Sequence, residues 1–231
     1  MKTSQALLAV LLLTPIASLD AQGTDTTSSS RFFGVTLGMG VGEQSAPSLV
    51  NYVNAVSQPR IDQRLDEFTS VVVFSVNPEL QVADEWSVGL EYSLLLKSYS
   101  IDDRSGLLRT DISYQVHMPT LLVQYLVFGE GYRLKAGGGI GYHVARFTQS
   151  FPTYGTEETF HTEGLGVKIG AVGNTRFDET FYGSIGVDLR WDFLGALKRA
   201  DGSEVVDKPT GMIPTMNFFT ISVTFGVMFQ L

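Results

Sequence analysis

In the C-terminal segment, from Phe219 to Leu231, every second residue is apolar, and the residues between them are small or polar apart from Met228. Successive side chains of a β-strand point to opposite faces, so the segment predicts a strand with one wholly apolar face. That face carries Phe219, Ile221, Val223, Phe225, Val227, Phe229 and Leu231. Leaving these side chains in water would cost roughly 10 to 20 kcal/mol, at about 1.5 to 3 kcal/mol each. Since this is comparable with the stability of an ordinary domain, either a protein core or lipid must cover the face.

The same alternation recurs along the chain and predicts eight strands. They are expected at residues 31–42, 67–82, 86–100, 111–127, 132–147, 161–173, 180–193 and 216–231. In the clearest of them, Ile185, Val187 and Leu189 alternate with Gly186 and Asp188. Alternation does not reveal which face is inside. A secreted soluble barrel that binds an apolar ligand would turn the apolar face inward, and a membrane barrel would turn it outward.

Two properties of the sequence favour the membrane barrel. The face opposite the apolar one is dominated by glycine and small hydroxyl residues, which suits a narrow lumen better than a solvent-exposed surface. The predicted connections also alternate in length, as they do in outer-membrane barrels. Residues 83–85, 128–131 and 174–179 form short turns, whereas residues 43–66, 101–110, 148–160 and 194–215 form long connections.

Aromatic residues on the apolar face add a third argument, because transmembrane proteins place them at the two membrane interfaces. Six of them fall near the short-turn ends of the predicted strands: Phe33, Trp86, Tyr125, Tyr132, Phe181 and Phe229. Trp191 and Phe193 would contribute to the opposite interface.

Closure of the sheet follows from the lipid environment, which offers no hydrogen-bond partner to an exposed strand edge. Eight strands close around an interior that side chains just fill, so no open pore is expected. Eight charged residues on the inward face should then form a lumenal charge network: Glu91, Lys97, Arg133, Lys135, Lys168, Asp188, Arg190 and Asp192. Because proline has no backbone N–H to donate to the neighbouring strand, a β-bulge is expected at Pro78 and at Pro119.

The composition excludes several classes of function. The 231 residues carry a formal net charge of -8 and show no cluster of Lys and Arg that would neutralise nucleic-acid phosphates. The absence of cysteine rules out disulfides and thiolate metal sites. Beyond residue 30, no apolar stretch is long enough for a membrane-spanning helix.

Two of the long connections show local structure. Residues 47–56 allow a short helix that would cap the barrel mouth. Asp201-Gly202 marks a tight turn from which strands seven and eight extend beyond the membrane.

Catalytic chemistry has few candidate residues, since the chain holds only three histidines. His143 and His161 lie near a long connection with Ser150 and Glu163, but no spacing links a nucleophile to its base. No metal-ligand spacing is present, and the glycines at 137–141 fall within a strand. We therefore predict no catalytic residue, no metal and no cofactor.

The N-terminus predicts export. Lys2 precedes an apolar stretch at residues 6–16, which is too short to span a bilayer and is typical of a signal peptide. The predicted organisation is a signal peptide at 1–21, a short disordered tether at 22–30 and a barrel domain at 31–231.

Several short segments resemble the small outer-membrane β-barrel domain family of Gram-negative bacteria, of the OmpA/OmpX eight-stranded type. They are Asn77-Pro78-Glu79-Leu80, the turn Ala83-Asp84-Glu85, the segment from Trp86 to Tyr92, the segment from Met118 to Leu122, and the aromatic-rich last strand. The resemblance implies an all-β, antiparallel, up-and-down transmembrane barrel in the cell outer membrane. It also implies a monomer that contacts outer-membrane lipid and is inserted by the barrel-assembly machinery.

The predicted function is therefore that of a non-enzymatic integral outer-membrane protein. Its role would be surface interaction or envelope structure, through long extracellular loops and a partner that the sequence does not name. The alternatives are a narrow conduit for small solutes, a lipid-modifying outer-membrane enzyme, and the secreted soluble barrel.

Overall fold

The computed structural model describes residues 32–57, 68–102, 109–206 and 211–231. Eight strands form one closed barrel in sequence order, which confirms the predicted fold class. The strands are β1 (Phe33–Ser45), β2 (Phe68–Ala83), β3 (Trp86–Asp102), β4 (Arg109–Gly129), β5 (Tyr132–Phe151), β6 (Thr156–Arg176), β7 (Phe181–Ala196) and β8 (Thr215–Gln230). The predicted signal peptide and tether lie outside the described residues.

Every strand is antiparallel to its neighbours, and β1 pairs with β8 to close the ring. Val41, for example, lies opposite Val72 on one side and opposite Val223 on the other. The β2–β3, β4–β5 and β6–β7 connections are short and share one end of the barrel, which we call the short-turn end. The long connections share the other end, the mouth.

The outer wall carries an apolar belt. Its side chains are exposed despite being large and hydrophobic; Val41 is 62% exposed, Leu90 57% and Phe225 59%. On β3 the belt runs from Trp86 to Leu96, close to the 9 to 11 residues with which a tilted strand crosses a bilayer. A water-soluble barrel would bury these side chains, so the structure does not favour that alternative. Among the described residues, no helix has the length and apolarity needed to cross a membrane.

The β-bulges predicted at Pro78 and Pro119 are absent, so this prediction is wrong. Pro78 lies opposite Val35 of β1 in unbroken register, and Pro119 lies opposite Tyr92 of β3 in the same way. A proline removes one donor but inserts no extra residue, so the register continues through it. The register shifts lie elsewhere, between Gln81 and Ala83 and between Phe193 and Ala196.

The strands that project furthest beyond the belt are β4, β5 and β6, with 21, 20 and 21 residues. The sequence predicted this extension for strands seven and eight, which have only 16 residues each. The Asp201-Gly202 turn does form, since the Gly202 N–H donates to the Arg199 carbonyl at 2.9 Å. It folds across the mouth and does not lengthen β7 or β8.

The mouth is filled by an apolar cluster around a helix, α1 (Pro47–Ser57), in line with the capping helix expected there. Leu49, Tyr52 and Val53 of α1 are buried in it. Inward side chains of the projecting strand halves complete the cluster: Val71, Val73, Leu95, Ile112, Tyr114, Val116, Met118, Ala145, Phe147, Phe160, Leu194, Met216 and Phe218. Leu197 and Val205, from the β7–β8 connection, cover it.

Docking of α1 can be tested by truncating a buried side chain. Leu49→Ala should weaken the docking of the helix by about 2 to 5 kcal/mol, because it leaves a cavity in the cluster. At about 1.4 kcal/mol per factor of ten, hydrogen exchange of the α1 amides should accelerate at least about 30-fold. Asn51→Ala, at an exposed position of the same helix, is the control. Equal exchange in the two variants would contradict the buried cap.

Candidate functional site in the lumen and at the mouth

The lumen between the short-turn end and the apolar cluster holds ionic side chains from strands that are not neighbours in the sheet. Lys135 of β5 reaches Glu79 of β2, with its Nζ 2.9 Å from both carboxylate oxygens. Both side chains are buried. Each charge therefore has its partner within the barrel, as a group removed from water requires.

A second ionic cluster centres on Glu91 of β3. Lys168 Nζ lies 2.7 Å from Glu91 Oε2, and Arg190 Nη2 lies 3.1 Å from Glu91 Oε1. Asp188 Oδ1 is 3.9 Å from Lys168 and 3.8 Å from Arg190. Ser93 donates to Glu91 at 2.8 Å. The cluster lines part of a lumenal cavity of about 60 Å³, which has room for a few water molecules.

The short-turn end of the lumen is closed by Arg133. Its guanidinium lies 3.8 Å from the ring centroid of Phe32 and 5.4 Å from that of Tyr182. Arg133 also donates to Gln230 at 2.9 Å. Phe32 and Tyr182 belong to a small buried cluster with Leu126 and Met228, so this end of the described barrel has no axial opening.

Asp192, His143 and Thr120 form a hydrogen-bonded chain in the lumen just below the apolar cluster. His143 Nδ1 is 2.5 Å from Asp192 Oδ1, and His143 Nε2 is 3.2 Å from Thr120 Oγ1. A carboxylate, an imidazole and a hydroxyl in this order are the parts of a nucleophilic triad. All three are at most 1% exposed, and the His143–Asp192 contact links β5 to β7 across the lumen.

Seven of the eight residues predicted for the lumenal charge network lie in the four separate groups just described: Glu91, Arg133, Lys135, Lys168, Asp188, Arg190 and Asp192. Arg133 contacts aromatic rings and Gln230 and is not among the ion pairs of the described residues. Lys97 lies apart from them near the mouth, where its Nζ donates to the Ser70 carbonyl at 2.6 Å. Glu79 and His143 were not included in the predicted network. The sequence could have identified both, because Glu79 on β2 and His143 on β5 occupy inward-facing positions in the alternation of their strands.

The predicted interface aromatics lie on the outer wall at the two ends of the belt. Trp86 contacts Tyr125 with ring centroids 5.4 Å apart, and Phe181 contacts Phe229 at 5.5 Å. Phe33 and Tyr132 are exposed beside them at the short-turn end. Toward the mouth, Phe193 is exposed and Trp191 packs on Phe219 at 5.2 Å. Phe219 was not among the predicted aromatics.

The described residues provide no obvious metal site. Within them, no group of three or more His, Cys, Asp or Glu side chains is placed to hold an ion. His161 lies on the outer wall of β6, whereas His143 lies inside, so the two histidines that the sequence singled out do not share a site.

The charge network can be tested at Glu91. Glu91→Gln removes the carboxylate that faces Lys168 and Arg190, and leaving buried charge uncompensated should lower the free energy of unfolding by about 3 kcal/mol. The measurement is urea unfolding in lipid vesicles, followed by tryptophan fluorescence. Glu130→Gln, in the exposed β4–β5 turn, is the matched control and should stay within about 0.5 kcal/mol of the parent. A Glu91 variant as stable as this control would contradict the assigned pairing.

Solved outer-membrane barrels have a similar fold. Neisserial surface protein A superposes with a TM-score of 0.51 at 10% identity, over 86% of this chain and 97% of that one. Ail, the attachment invasion locus protein of Yersinia pestis, gives 0.47 at 12% identity, over 86% and 99%. OprG of Pseudomonas aeruginosa gives 0.44 at 11% identity, over 87% and 96%. No protein-family model matches the sequence, and no curated protein matches it either.

These identities are low, and the similarity therefore concerns the fold. The location rests on the barrel itself, whose apolar belt faces outward and whose buried ions face the axis. Taken together, the closed ring, the belt and the polar lumen confirm that the chain is an integral outer-membrane β-barrel of the small eight-stranded type.

Proposed function

We propose that this outer-membrane barrel acts through its mouth end, as a non-enzymatic protein of surface interaction or envelope structure. The observation that carries the proposal is the projecting half of β4, β5 and β6. These strands continue beyond the belt as one ribbon, whose outward side chains are polar, among them Gln115, Arg146 and Glu163. In barrels of this type the long connections face the cell exterior, so the ribbon is presented outside the cell.

Packing beneath the ribbon makes it a preformed surface. Phe147 and Phe160 lie opposite each other on β5 and β6, and both are buried in the apolar cluster with ring centroids 6.0 Å apart. A surface that is ordered before binding loses less conformational entropy when a partner docks. The ribbon is therefore better suited to recognition than a flexible loop of equal length.

In the accessible part of the described chain, catalysis has one hydroxyl–imidazole pair to draw on, Tyr92 Oη and His117 Nδ1 at 2.6 Å, and this pair lies on the belt that faces lipid. The one chain of hydroxyl, imidazole and carboxylate is buried between the lumenal ions and the apolar cluster. His161 is exposed but lies opposite Arg146 on the adjacent strand, with no paired nucleophile. We therefore propose that the protein does not modify lipids. Lipid extracts of cells with and without the protein should have the same composition.

A conduit role is also not favoured, because packed side chains occupy the described lumen from Phe32 to α1. We expect the purified protein to show no conductance steps above background in planar bilayers. Any packed eight-stranded interior should exclude ions in this way. Reproducible single-channel steps would contradict the closed lumen and promote the conduit.

The surface role can be tested by shortening the ribbon. Residues 149–158 are replaced by Asn-Gly, a two-residue turn that fits between the paired Thr148 and Thr159. Phe147 and Phe160 remain, so the barrel should still show heat-modifiable migration on gels. Cells with the parent protein should differ from cells without it in adhesion, aggregation or dye exclusion. The shortened variant should lose that difference.

Membrane fractionation and protease treatment of intact cells provide the control for location and orientation. The long connections should be cut and the short turns spared. Parent cells that match cells without the protein in all three assays would contradict the proposed role while leaving the location intact.

A further inference from the structure

The β2–β3 ladder ends early on the mouth side. Its last pair is Val72 with Leu96, although β3 continues beside β4 as far as Asp102. In the same part of the barrel, toward the mouth, β2 continues beside β1 as far as Phe68. The two strands therefore part above the belt and leave a seam in the barrel wall. Lys97 Nζ spans this seam by donating to the Ser70 carbonyl.

A groove of about 650 Å³ lies on the outer wall at the foot of the seam. Its floor is apolar and consists of Val72, Phe74 and Leu96. Phe74 is 42% exposed, so this floor is continuous with the belt that contacts acyl chains. The buried Tyr114 forms the back of the groove and stacks on Phe218 of the apolar cluster with ring centroids 5.7 Å apart. Tyr114 thus separates the groove from the lumen.

The groove is positively charged in a protein of net charge -8. Lys97 and Arg146 line it together with hydroxyl and amide groups, and no carboxylate of the described residues does. Leu96 lies opposite Gln115, which lies opposite Arg146. Lys97 is the next residue after Leu96 and lies opposite Tyr114 on the inward face, so its side chain enters the groove through the seam, where its Nζ donates to Ser70. The backbones of Lys97 and Arg146 are about two strand spacings apart, roughly 10 Å, and both side chains line the groove. One anionic headgroup can reach both of them.

We propose that this groove binds a phosphorylated lipid of the outer leaflet. Lys97 and Arg146 contact the phosphate oxygens, where charge-assisted hydrogen bonds are strongest, and an acyl chain lies along Val72, Phe74 and Leu96. The match of cations at the membrane boundary with an apolar floor below them selects an amphiphile of this kind. The proposal rests on the outer-membrane location. Arg146 also belongs to the ribbon, but replacing residues 149–158 leaves both cations of the groove in place, so the two proposals are tested separately.

Native mass spectrometry of the full mature chain, released from detergent, tests the site. The probes are diphosphoryl lipid A, the same lipid without its phosphates, and oleate. The parent protein should prefer diphosphoryl lipid A, and the double variant Lys97→Gln with Arg146→Gln should bind it about tenfold more weakly, as expected for a loss of about 1.4 kcal/mol. Lys198→Gln with Arg199→Gln removes two exposed cations outside the groove and should change binding less than twofold.

Three results would overturn the proposal. They are equal binding of the lipid by both double variants, equal binding of the lipid with and without phosphates, and a preference for oleate, which would indicate a fatty-acid site. Arg146→Gln alone, at an exposed position, serves if the double variant does not fold, and it should weaken binding in the same direction. Failure of the parent to fractionate with membranes would contradict the location, whereas an inserted protein that does not discriminate these lipids contradicts only the site.

Discussion

Backbone hydrogen bonding in a medium without water determines most of this structure. Inside the hydrocarbon layer an unpaired strand edge costs several kcal/mol per group, so the ladder must close, and within the belt each strand has partners on both sides. The places where ladders end early lie toward the mouth. β2 and β3 separate above Val72, and β6 and β7 separate above Leu165. Beyond the hydrocarbon layer water can satisfy the freed groups, and backbone bonds between His161 and Lys198 close the second gap.

The apolar side of the barrel changes along the strands. Within the belt, β4 turns Leu121, Val123 and Tyr125 outward, whereas nearer the mouth it turns Val116 and Tyr114 inward. Along β4 the alternation of faces is unbroken; only the hydrophobic residues move from one face to the other. Lipid covers the outer face in the first region and water covers it in the second. The mouth half is therefore packed like a soluble barrel, with an interior of Leu, Val and Phe, and stands on a transmembrane half with an ionic interior.

This change explains what could and could not be predicted from the sequence. The eight strands, their connections and the outward belt follow from alternation, which reports local geometry directly. The inward position of Glu91, Lys135 and Arg190 follows from the same alternation of side chains between the two faces. The pairing of Glu79 with Lys135 does not, because partners across a lumen are set by strand tilt and shear. The apolar cluster was missed for a different reason, since inward residues such as Val116 and Phe147 contradict a lumen assumed to be polar along its whole length.

The arrangement of the lumenal ions agrees with a barrel that carries no solute. Glu79 to Lys135 joins β2 to β5, Glu91 joins β3 to β6 and β7, and His143 to Asp192 joins β5 to β7. Each contact connects strands that are not adjacent in the sheet. Buried ion pairs add little net stability against apolar replacements of equal volume, but a mispaired register would leave charges uncompensated. We therefore interpret the network as a device that selects one register and one strand number, which leaves the outer surface and the mouth as the places where this protein meets other molecules.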